Sequence, residues 1–141
     1  MLVSTKMSLE LKIPYVVLPE QSGKYKVVQF MVDGVPYLEF GNLQTENSRD
    51  RHTSIVKRFA DKIGVEIEID DSNGIPLYFL SNRDNYKIAG MGWCELNLEE
   101  KLAEFYGFST DYSITIDKSH LETIKQFCPH INIKYNPKRI K

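Results

Sequence analysis

Long apolar runs are missing from this chain of 141 residues. No stretch approaches the ~20 apolar residues that span a bilayer, and Lys6, Glu10 and Lys12 interrupt the aliphatics of Met1–Pro14, so no apolar signal core forms there. Cysteine is equally scarce. Cys94 and Cys128 are the only two, too few for a disulfide scaffold or a four-thiolate zinc site, and they are not at C-x-x-C spacing. Reduced thiols, a cytoplasmic location and no metal or cofactor are the expectation. An excess of one charge is also absent: 18 Lys and Arg face 19 Asp and Glu, for a net charge of −1. That balance excludes whole-molecule attraction to DNA, RNA or an anionic membrane, so any anion site is local.

What is present is ordinary soluble composition, 42% apolar and 26% charged, in a length that fits one domain. Residues 1–141 read as a single globular unit and a monomer, with 1–8 and the basic end 136–141 as loose termini. No repeat or low-complexity segment divides it.

The pattern of the first half is strand-rich. Leu9, Leu11 and Ile13 alternate with Glu10 and Lys12 up to Pro14. Tyr25–Val32 and Val35–Phe40 flank Asp33-Gly34, a pair suited to the positive φ angles of a type I′ hairpin turn. Polar Gly41–Asp50 reads as a loop. From Arg51 the period becomes helical: Ile55, Phe59 and Ile63 share a face with Val56 and Ala60, Asp50 is the expected N-cap and Gly64 the terminator.

Val65–Asp70, Ile75–Leu80 and Tyr86–Trp93 read as three further strands, the last two joined by Asn82-Arg83-Asp84-Asn85. Leu98–Phe105 is helix-favouring and stops at Gly107, Tyr112–Ile116 suggests a short strand, and Ser119 with Glu122 forms a capping box for a helix to Phe127. Ile131–Lys134 closes the chain as a strand, with parallel pairing expected after a helix. The fold class is α+β, a mixed sheet of about six strands with two to three packed helices.

The chemistry concentrates in three places. His52 follows Arg49-Asp50-Arg51 in the first helical turn, where free N–H groups and the dipole favour an anion and a neutral imidazole. Such an imidazole beside a bound oxyanion serves as nucleophile or general base; the alternative is an exposed helix-start residue without a role. Lys26, among strand residues, suits a phosphate oxygen as a point charge, or is a solvated strand lysine. Ala89-Gly90-Met91-Gly92-Trp93 places two glycines inside a strand, which signals a bulge or close backbone approach: its amides hold oxyanions, or the glycines admit a helix across the sheet.

His120 and His130 lack neighbours at metal spacing and read as surface or satisfied histidines. Glu66, Glu68, Asp70 and Asp71 read as a solvated acidic edge, and Lys134–Lys141 as a solubilising end.

Over roughly Ser22–Tyr135 these pieces together resemble the phosphohistidine phosphatase, or Janus, family of small α/β proteins. The resemblance runs through Ser22-Gly23-Lys24-Tyr25-Lys26-Val27-Val28, His52-Thr53-Ser54-Ile55, Gly64-Val65-Glu66-Ile67-Glu68, Lys87-Ile88-Ala89-Gly90-Met91-Gly92 and Pro129-His130-Ile131-Asn132-Ile133. It implies a phosphohistidine-phosphatase-like fold and a metal-independent phosphatase, acting on a phosphorylated protein or small phosphoramidate. His52 would be the catalytic histidine and Lys26 a phosphate-binding residue, with the backbone of Gly90, Met91, Gly92, Trp93 and Cys94 as oxyanion cradle. Independently of the resemblance, Arg49 and Arg51 add local positive charge beside His52 and are candidate substrate-binding residues. Between Asn97 and Lys118 the chain carries about twenty residues beyond the family pattern, judged by ordinary connection lengths. Two other readings compete: a non-catalytic module binding a phosphorylated group or protein partner on the same fold, and an inhibitor or immunity-type protein using the Glu66–Asp71 edge.

Overall fold

The computed structural model describes residues 13–72 and 74–140, so most of the strand expected at Leu9–Ile13 lies outside the described residues. Strand β1 (Gly23–Val32) turns through Asp33 and Gly34, both at positive φ, into β2 (Val35–Phe40), as the Asp-Gly pair requires. Helix α1 (His52–Ile63) ends at Gly64, whose left-handed conformation lets its N–H reach the carbonyls of Ala60 and Asp61. Strands β3 (Ile67–Asp70) and β4 (Leu77–Leu80) form a separate hairpin against α1. The long β5 (Tyr86–Asn97), β6 (Leu102–Tyr106), short β7 (Phe108–Ser109) and β8 (Ile114–Thr115), α2 (Lys118–Ile124) and β9 (Asn132–Tyr135) complete the chain.

Among the described residues the result is an α+β architecture: a mixed, curled five-stranded sheet in the order β2-β1-β5-β6-β9, two two-stranded sheets, two α-helices and a 3-10 turn at Lys125–Phe127. As expected for a strand following a helix, β9 pairs in parallel, with β6. No helix among the described residues is long and apolar enough to cross a membrane.

Three local expectations are corrected. Leu98–Phe105 is not a helix: a turn with Asn97 Oδ1 accepting from Glu100 N–H (3.1 Å) leads into β6. There Ala103 and Phe105 are buried, and pairing on both edges outweighs the helical preference of Leu, Glu, Lys and Ala. Arg51, not Asp50, is the N-cap of α1, and no side chain caps it. Asp50 is instead buried, accepting from the backbone N–H of Asn42 (2.8 Å) and Arg51 (3.1 Å) and pairing with Arg58. Burial pushes its carboxyl pKa up, and these hydrogen bonds more than reverse the effect. The capping box of Ser119 and Glu122 is replaced by Asp117, whose carboxylate accepts from His120 N–H (3.0 Å).

The sheet separates two cores. Val28, Phe30, Val32 and Met91 face α1, packing on Ile55, Val56, Phe59 and Ala60, with Phe30 stacked on Phe59 at 4.0 Å. Tyr25, Val27, Cys94, Leu96 and Phe105 face α2, with Ile116, Leu121 and Ile124. Strand alternation therefore assigns Lys24 and Lys26 to the α1 face and Gln29 to the α2 face. The C-terminal tail is held, not loose: Asn136 N–H donates to Phe105 C=O (2.9 Å), and Arg139 pairs with Glu95 and Glu104 and covers the Tyr106 ring.

Candidate functional site

Helix α1 begins at His52, part-way along the sheet, so β1 and β5 continue beyond its first turn. The face left uncovered carries Lys26 on β1, directly opposite Trp93 on β5. Its roof is the β7–β8 segment. A cavity of about 120 Å³ results, lined by Lys26, His52, Trp93, Phe108, Ser109, Thr110 and Asp111. Two residues far apart in sequence, His52 and Lys26, thus share one small space.

His52 is only 7% exposed. Its Nε2 lies 2.9 Å from Gly92 C=O, and because a carbonyl only accepts, Nε2 carries the proton and Nδ1 is the unprotonated nitrogen of the neutral ring. Burial, reinforced by the charge of Lys26, pushes the imidazole pKa down to about 4, against the opposing effects of the Gly92 bond, Asp111 and Asp50. The ring is therefore neutral at pH 7.

The Lys26 ammonium sits 5.3 Å from the centroid of the Trp93 ring. Burial and the nearby Arg51 lower its pKa, while Asp111 and Asp50 oppose the shift. Arg51 is exposed and pairs with Asp111 at 3.7 Å, beside the open helix terminus. Arg49 is exposed and does not line the cavity.

The glycine segment divides its roles. β5 carries a bulge beside Gly90, where the register with β1 shifts between Gln29 and Phe30. A methyl at Gly90 would lie 2.8 Å from Asp117 N and from Thr115 O, and one at Gly92 would lie 2.6 Å from Tyr106 O and Ile116 Cγ1. The close approach signalled by the glycines is thus the β8–α2 segment crossing the face opposite the cavity. Of Gly90, Met91, Gly92, Trp93 and Cys94, Trp93 alone lines the Lys26–His52 space, Gly92 contributes the carbonyl that holds His52, and Met91 and Cys94 belong to the two cores.

His120 is a satisfied histidine, 4% exposed: Nε2 donates to Phe30 C=O (2.9 Å) and Nδ1 accepts from Gln29 Nε2 (3.2 Å). Gln29 in turn joins Asp117 through both ends of its amide. His130 is exposed, and the acidic residues Glu66, Glu68, Asp70 and Asp71 are exposed as read. Among the described residues no three His, Cys, Asp or Glu side chains gather as a metal-ligand set.

Sequence reasoning missed Phe108, Ser109, Thr110 and Asp111. They lie in the stretch between Asn97 and Lys118, and their spacing follows no catalytic pattern; only their placement over β1 and β5 marks them. No protein-family model matches the chain, and no curated protein matches it.

Proposed function

We propose that the Lys26–His52 cavity binds a phosphoryl group and hydrolyses it from phosphohistidine or a related phosphoramidate, on a fold like that of the phosphohistidine phosphatases. The observation that carries this reading is the pairing of a neutral, tautomerically fixed imidazole with a lysine ammonium in one cavity. Lys26 binds a phosphoryl oxygen and offsets the charge that develops on it in the transition state. Nδ1 of His52 takes a proton from water as the new P–O bond forms, the P–N bond breaks, and the departing nitrogen takes its proton from solvent. The alternative use of Nδ1, direct attack on phosphorus, requires the same tautomer.

A second reading, a module that binds a phosphorylated group without turnover, is favoured by the glycine segment: the side-chain face of Gly90 and Gly92 is filled by the β8–α2 segment.

Single-turnover dephosphorylation of a phosphohistidine peptide, with and without EDTA, tests the first reading. EDTA-resistant turnover that disappears in His52→Ala and falls in Lys26→Ala is expected. Binding of the phosphopeptide without turnover supports the module, and neither binding nor turnover removes both readings.

A further inference from the structure

A second cavity of about 300 Å³ adjoins the first. Its walls are Lys24, Trp93, Tyr106, Phe108, Thr110 and Ile140, and three of these, Trp93, Phe108 and Thr110, also line the Lys26–His52 space. The two differ in chemistry. The smaller one gathers Lys26, His52, Ser109 and Asp111 and is far below the ~300–1,000 Å³ of usual ligand pockets; the larger one reaches that range and is walled mainly by aromatic and aliphatic surface.

Exposed apolar side chains point to the same place. Among the described residues four large apolar side chains are exposed, and two of them, Phe108 at 44% and Ile140 at 59%, stand at this cavity. Lys24 is two residues from Lys26 on the same strand face and stands opposite Glu95, which pairs with Arg139, so the charges at the rim of the larger cavity are mixed and its walls are left to apolar surface. Gly107 permits this arrangement: a Cβ there would lie 2.9 Å from both Trp93 Cδ1 and Ile140 O, so the C-terminal segment reaches the indole only because the side chain is missing.

Resting on the phosphoryl-binding reading, we propose that the two cavities form one bipartite site for a phosphoryl group carried on a flat aromatic body, for which phenyl phosphate is a stable probe. The phosphoryl group sits against Lys26 and His52, and the ring lies between Trp93, Phe108 and Ile140. Offset stacking on Trp93 and burial against Phe108 supply the preference for an aromatic over an alkyl body.

Trp93 is the single tryptophan of the sequence and forms the wall common to both cavities, so its fluorescence reports on this site alone. The intact chain is titrated with inorganic phosphate, methyl phosphate and phenyl phosphate. Phenyl phosphate is expected to bind at least tenfold more tightly than methyl phosphate, and Phe108→Ala, at an exposed position, to remove most of that advantage. Equal affinity for the two esters overturns the bipartite site and leaves the phosphoryl reading standing. Absence of binding by inorganic phosphate and both esters overturns the two together. An advantage of phenyl phosphate that survives Phe108→Ala also overturns the site described here.

Discussion

The two buried histidines stand on opposite faces of the same sheet, and they differ in what their second nitrogen does. His120 has both ring nitrogens engaged, with Phe30 C=O and the Gln29 amide, inside a polar network that fixes α2 to the bulged part of β1 and β5. His52 is held by one nitrogen only, on Gly92 C=O, and its ring borders a cavity that also contains Lys26. Burial lowers the pKa of both, so neither degree of burial nor direction of shift separates the satisfied histidine from the one proposed to react. The difference lies in unused bonding capacity next to open space.

The largest expected contrast is in chemistry. His52→Ala should lower phosphoramidate hydrolysis by about 10²–10⁴-fold, the usual worth of a general base, while His120→Gln stays within a few-fold of the parent. Equal losses in the two variants, measured as single-turnover rates, would break the comparison.

Stability should rank the two sites the other way. His120→Ala leaves the Phe30 carbonyl without the imidazole N–H, takes one of two acceptors from the Gln29 amide, whose bonds to Asp117 remain, and empties the space of a buried ring, a loss of about 3 kcal/mol, against about 1 kcal/mol for His52→Ala, which frees one carbonyl beside a cavity. Urea midpoints of the two variants check the order.

Acid sharpens the comparison. The unfolded His52 takes up its proton near the ordinary 6.5, the folded one at about 4. The unfolded state therefore binds more protons in that window, and stability is complete above 6.5 and declines as the pH falls toward 4. The full effect is about 3 kcal/mol at 1.36 kcal/mol per pKa unit. His52→Gln should show a shallower decline in urea midpoint between pH 7 and 4.5 than the parent; identical slopes would remove the contribution assigned to this ring.

The smallest effect belongs to the acidic edge. Glu68 and Arg83 form an exposed pair at 3.2 Å, so Glu68→Lys should change stability by no more than about 0.5 kcal/mol and leave hydrolysis unaltered. Loss of hydrolysis in that variant would shift attention from the cavity to the β3 surface.

Much of the framework was legible because its signals are local. Asp33-Gly34 specified the hairpin, the spacing of Ile55, Phe59 and Ile63 specified α1, and Gly64 its end. β6 was not, since Leu98–Phe105 has helix-forming residues and only neighbouring strands on both edges decide its state. Its one readable clue was Glu104 between Ala103 and Phe105. The caps failed for a related reason: Asp50 is diverted from the helix terminus by Arg58 and Asn42, and Asp117 lies two residues before the Ser that matched the capping pattern. At the site, His52 and Lys26 were readable as candidates by residue type and position, but Asp111 and Phe108 reach them only through the chain's return over β1.

The pairing of Lys26 with Trp93 also has a meaning in time. β1–β2 and β5–β6 are hairpins of nearby residues, able to form within microseconds, whereas the β1–β5 seam joins distant parts of the chain and must wait for a long loop to close. The cavity straddles that seam, so it comes into being only when the two halves dock. Trp93 stands opposite Tyr106 in the β5–β6 hairpin and opposite Lys26 across the seam, so its emission during refolding should change in two phases, a fast one with the hairpin and a slow one with assembly of the whole sheet.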